Sequence, residues 1–142
     1  MALPCGFAGS TAIDGAGDVV VLCEGSTINA EGQSVTTQET TRLPAGGSTW
    51  STPALVTSDF VSSESIVADT AGTFIVALVT NTTVNNMGVE TINAYTSPPG
   101  GSFGTATTFP SRYSTTSISI SPADARRSFG TPPRERSNPQ SR

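Results

Sequence analysis

Ala12-Ile13-Asp14-Gly15-Ala16-Gly17-Asp18-Val19-Val20-Val21-Leu22 returns later in the chain as Val67-Ala68-Asp69-Thr70-Ala71-Gly72-Thr73-Phe74-Ile75-Val76-Ala77-Leu78. A second stretch, Pro44-Ala45-Gly46-Gly47-Ser48-Thr49-Trp50, returns as Pro98-Pro99-Gly100-Gly101-Ser102-Phe103. Asp14 and Asp69 are 55 positions apart, whereas Gly46 and Gly100 are 54 apart. A fixed period of this size marks a repeat architecture built from similar supersecondary units.

Each copy divides into four strand-like pieces. In the second copy they are Ser65–Asp69, Thr73–Val79, Val89–Thr96 and Phe103–Phe109, with a turn at Thr70-Ala71-Gly72, a polar loop over Asn81–Gly88 and a turn at Pro98–Gly101. In the first copy they are Ala12–Asp14, Asp18–Cys23, Ser34–Leu43 and Trp50–Val56, with Gly25–Gly32 as the loop. The second piece of each copy is a near-continuous apolar run, the pattern of a strand covered on both faces. The third is polar and Thr-rich, which predicts a place near an exposed edge.

No 3.6-residue apolar period runs through either copy, so helical repeats are excluded. Four antiparallel strands in about 50 residues describe a propeller-type blade better than a solenoid coil. The expected fold is all-β: a segment 1–10, a blade-like repeat over 11–58, a second over 59–111, and a partial third over 112–123 beginning at Ser117-Ile118-Ser119-Ile120. A sandwich of eight strands is the architectural alternative, although it has no need of a repeat. Residues 124–142 carry almost no apolar side chains and are rich in Arg, Pro and Ser, the composition of a disordered basic tail. So abrupt a change within a strand–turn motif suggests a truncated or shifted reading frame.

Composition narrows the functional classes. The net charge of −4 hides a division between body and tail. Residues 1–111 hold nine acids and one Arg, and residues 112–142 hold six Arg and two acids. An acidic body is poorly suited to nucleic acid, whose phosphates require clustered Lys or Arg. No run approaches the roughly 20 apolar residues of a membrane-spanning helix. The first residues lack the basic and apolar regions of a signal peptide, so the chain is either cytoplasmic or lacks its true beginning. Cys5 and Cys23 can form one disulfide, but two free thiols, one buried in a strand, are the expectation. The chain has no His, which removes the usual nitrogen ligands of zinc and any Ser-His-Asp or Cys-His arrangement.

Few residues stand out as candidate sites. Asp14-Gly15-Ala16-Gly17-Asp18 offers oxygen ligands for calcium. Its counterpart Asp69–Thr73 keeps only the residues a hairpin turn needs, so a turn is expected. Trp50 and Phe103, each placed after a glycine turn, are expected to be packing anchors and not sugar-stacking rings. The Asn81-Thr82-Thr83 sequon carries no weight in Thr-rich sequence. Arg126, Arg127, Arg134 and Arg136 form a basic cluster to which no role is assigned.

The succession of apolar residue, Asp14 or Asp69, Gly17 or Gly72 and an apolar run, followed by Pro44–Trp50-Ser51-x-Pro53-x-Leu55, resembles the repeats of bacterial sialidase-like β-propeller proteins. The resemblance covers about residues 11–111. Gly47-Ser48-Thr49-Trp50 resembles the end of an Asp-box, but Leu43 and Ala45 stand where that motif has Ser and Asp. The resemblance implies a propeller fold and an extracellular setting. A retaining sialidase would need an arginine cluster and a Tyr–acid pair, and the repeats offer only Arg42 with Tyr95 and Glu90. The expectation is therefore a non-catalytic segment without cofactor or metal; the alternatives are a fragment of a sialidase-like exo-glycosidase that lacks its catalytic residues, or an orphan fragment with no selected function. It would bind a carbohydrate or protein ligand through the loops Gly25–Gly32 and Asn81–Gly88. Copies would self-associate through exposed blade faces.

Overall fold

A computed structural model describes residues 2–110, so the expected partial third repeat and basic tail lie outside the described residues. The described chain is all-β. Its strands are β1 Phe7–Ile13, β2 Val19–Ile28, β3 Ser34–Leu43, β4 Ala54–Thr57, β5 Val61–Ala68, β6 Phe74–Val84, β7 Met87–Ser97 and β8 Thr107–Pro110. They form two separate four-stranded antiparallel sheets, ordered β1-β2-β3-β4 and β5-β6-β7-β8, each a simple meander. Neither sheet closes into a barrel. Each sheet is one copy of the repeat, joined by the short linker Ser58-Asp59-Phe60.

The turns explain why both copies fold alike. Asp14 Oδ1 accepts hydrogen bonds from the backbone N–H groups of Ala16, Gly17 and Asp18, each at 2.9 Å. Asp69 Oδ1 accepts in the same way from Ala71 and Thr73, at 2.9 and 2.8 Å. The Gly three residues after each Asp has φ of 94°, a conformation that favours glycine because it has no Cβ. Asn29 builds a third turn of this kind, its Oδ1 accepting from Glu31 and Gln33. At the same end as the Asp turns, Pro44–Gly47 and Pro98–Gly101 close with Gly47 N–H donating to Pro44 O and Gly101 N–H to Pro98 O.

The change of spacing from 55 to 54 has a physical location. Ile28 pairs with Ser34 across five turn residues, while the equivalent pair Thr83 and Gly88 encloses four. The second hairpin tightens to a two-residue turn at Asn85-Asn86, with φ of 51° and 61°. Positive φ at both positions belongs to the type I′ turn, whose twist matches that of paired strands.

The two sheets pack by unlike faces. Successive residues of a strand point to opposite faces, so β2 presents Val20, Leu22 and Glu24 on one side and Val19, Val21 and Cys23 on the other. Val20 and Leu22 meet Ile66, Phe74, Val76 and Leu78 of the second sheet in one buried cluster. By repeat position, Phe74, Val76 and Leu78 correspond to Val19, Val21 and Cys23. The face that is inward on the second sheet is therefore the one that is outward on the first.

Three expectations are corrected. First, β3 and β7 are inner strands, flanked on both sides. Their polar residues are not at an edge: Thr37, Gln38, Thr40 and Thr41 are all buried. The edges are β1, β4, β5 and β8, because a meander leaves its first and last strands unpaired on one side. Second, half of Gly25–Gly32, the stretch Gly25–Ile28, and all of Asn81–Gly88 except Asn85-Asn86 are strand, with pairing continuing to Ile28–Ser34 and to Val84–Met87. Thr and Asn read as loop residues by composition, yet they complete two long hairpins. Third, Cys5 and Cys23 form a disulfide, and among the described residues no cysteine is free. Gly6 N–H donates to Glu24 O at 3.1 Å, which holds the bend at Pro4–Gly6 beside β2 and brings Cys5 to Cys23. The strand bounds also move: β1 begins at Phe7, and the fourth strands shorten to Ala54–Thr57 and Thr107–Pro110.

Candidate functional site

The junction between the sheets gathers the polar side chains that neither sheet explains alone. At one end, Arg42 of β3 reaches across it. Its Nη2 donates to Ser97 Oγ at 3.0 Å, and its Cζ lies 5.1 Å from the centroid of the Phe74 ring. Ser97 Oγ in turn donates to Gly101 O at 2.8 Å. Arg42 is the only Lys or Arg among the described residues, and it serves packing. A cleft of about 470 Å³ opens beside it, between Thr40, Arg42 and Ser51 on one wall and Gly100–Phe103 on the other.

At the opposite end lies a cleft of about 300 Å³, bounded by Glu24, Gln38, Ser58, Asp59 and Phe60. Gln38 is only 5% exposed, and its Oε1 has no hydrogen-bond partner among the described residues. Such an orphaned acceptor is unusual, because buried polar atoms normally find a partner. Phe60 is 72% exposed. Glu64 of β5 is held above its ordinary range, first by burial and then by the negative charge of Glu24. Burial also raises the Tyr95 phenol; a hydrogen bond with Thr57 opposes this, and the charge of Asp59 adds to it.

The residues singled out from the sequence fall as follows. Asp14 spends Oδ1 on backbone N–H groups, as a turn-forming residue does. Among the described residues no group of three or more His, Cys, Asp or Glu could hold a metal ion. Ser51 N–H donates to Arg42 O, and Gly104 N–H to the equivalent Thr96 O. Trp50 and Phe103, each just before its donor, therefore hold the same place. Phe103 packs against the buried cluster. Trp50, on the first sheet, is half-buried and outside it. Glu90 and Tyr95 are five residues apart on one strand and so point to opposite faces. Gln38 was missed by sequence reasoning, because a Gln in a Thr-rich strand carries no sign that the strand is internal. The signal present was Ile92, which stands at the matching position of the second copy.

No protein family, curated protein or solved structure matches this chain. Among the described residues no helix is long and apolar enough to cross a membrane.

Proposed function

We propose that this chain is a non-catalytic, propeller-type repeat segment with a structural or extracellular binding role. The reading is carried by one observation: the two copies stack by unlike faces. Stacking of like faces gives a closed pair. Stacking of unlike faces is open-ended, because the same contact can be repeated until a ring closes or a filament grows. The outer side of the first sheet carries Ile13, 63% exposed, and the half-buried Trp50. On the outer side of the second sheet, half-buried Ile92 pairs with exposed Phe109, and half-buried Ile75 lies on the same face. These two sides are the complements of the junction already formed, so a second copy docks head to tail. The exposed Ile28, Val84 and Met87 at the tips of the long hairpins suit contact with a protein ligand better than with a carbohydrate.

Sedimentation velocity over a range of concentrations tests this. The expected result is reversible association that Ile13→Glu weakens while leaving the circular dichroism spectrum unchanged. A monomer at every concentration, or association that Ile13→Glu leaves unaltered, is the contrary result.

A further inference from the structure

The repeat itself isolates an anomaly. Glu24 pairs with Gln38 on the inward face of the first sheet, and the pair at the matching position of the second sheet is Val79 with Ile92. The same strand pairing thus forms with two apolar side chains, so nothing in the sheet requires the polar pair. Yet at Gln38 the polar side chain is buried and its Oε1 is left without a partner among the described residues. An unsatisfied buried acceptor is destabilising, and a donor supplied from outside would relieve it.

The surroundings limit what that donor is. Glu24 and Asp59 line the same cleft as exposed carboxylates. Both are acceptors only when ionised. No cation faces them from the described residues, since Arg42 is engaged at the other end of the junction. The exposed ring of Phe60 forms one wall. An occupant complementary to these groups donates several N–H bonds, carries positive charge and has a flat face to lie on an aromatic ring. A guanidinium meets all three conditions, whereas an ammonium lacks the flat face.

We infer that the cleft bounded by Glu24, Gln38, Asp59 and Phe60 binds an arginine side chain. Gln38 Oε1 and the two carboxylates accept its N–H groups, and Phe60 covers its face. The volume of about 300 Å³ suits a single side chain. The guanidinium has two sources, another polypeptide or the six arginines of residues 112–142 of this chain.

The test is a titration of the full chain with N-acetyl-arginine methylamide, followed by amide and side-chain NMR shifts and by calorimetry. The neutral probe N-acetyl-citrulline methylamide, of the same shape, serves as control. Binding is expected for the first probe and not for the second, with shifts at Gln38 and Ser58–Phe60. Asp59→Asn and Phe60→Ala, both at exposed positions, are each expected to weaken binding about threefold or more. Added salt is expected to weaken it further. Gln38→Leu is expected to raise the melting temperature of the free chain while abolishing the gain given by the probe. Changing Arg112, Arg126, Arg127, Arg134, Arg136 and Arg142 to Gln in the full chain separates the sources. Tighter probe binding in that variant identifies the tail as the occupant, and unchanged binding identifies another polypeptide. The inference is overturned if the citrulline probe binds equally, if Asp59→Asn changes nothing, or if the arginine probe binds neither the wild type nor the six-fold variant. The cleft lies within one chain, so these results do not depend on whether copies stack.

Discussion

Arg42 of the first sheet lies over the ring of Phe74 in the second, with Cζ 5.1 Å from the ring centroid. The same guanidinium donates to Ser97 Oγ, so one side chain ties the first sheet to two strands of the second. At the matching positions Thr96 stands for Arg42, and Val19 and Leu43 for Phe74 and Ser97. The clamp is thus particular to this junction.

Arg42→Met keeps most of the apolar stem and removes the fork. It is expected to destabilise the fold by about 1–3 kcal/mol, the range of a cation–π contact combined with a charge-assisted hydrogen bond. Arg42→Lys should restore only part of that. Urea unfolding of the three proteins measures it. Equal midpoints would show that the clamp contributes nothing.

The disulfide joins residues 18 positions apart. A loop of that size limits the unfolded chain, and reduction is expected to cost about 3 kcal/mol. Thermal unfolding with and without a phosphine reductant measures it, with Cys5→Ser/Cys23→Ser as the irreversible counterpart.

The raised Glu64 carboxyl gives a pH dependence with a definite sign. A group whose folded value lies above its unfolded one favours the folded state when protonated. Its stabilising contribution is present below the ordinary value of 4.5 and is lost as pH rises through the raised one. Glu64→Gln is therefore expected to raise the melting temperature at neutral pH, and the gain should shrink as the solution is acidified below that value. A gain independent of pH would contradict the assignment.

Gly72 is buried, has φ of 94°, and faces Pro99 and Asp14 Oδ2 at 3.2 Å from where a Cβ would sit. Gly72→Ala is expected to cost about 1–2 kcal/mol, from the left-handed backbone together with the close approach. Gly32, with φ of 78° and nothing within 4 Å, isolates the backbone cost. Gly32→Ala should be the milder change in equilibrium unfolding.

The duplicated apolar runs, the Asp–Gly turns and the Pro–Gly–Gly turns by themselves determined that this chain makes two alike antiparallel sheets, because turn chemistry and alternation act over a few residues. They did not determine which strands were internal. Thr-rich β3 and β7 carry the composition of edges, and only pairing on both sides, which depends on residues distant in the chain, buries Thr37, Thr40 and Thr41. Nor could they show that Cys5 meets Cys23, which depends on the bend at Pro4–Gly6, or that Asn85-Asn86 closes a tight hairpin. The stacking of unlike faces, the Arg42 clamp and the orphaned Gln38 arise where two sheets meet. Each of these depends on which side chains from one copy face those of the other, and that relation does not exist until both copies have folded and docked.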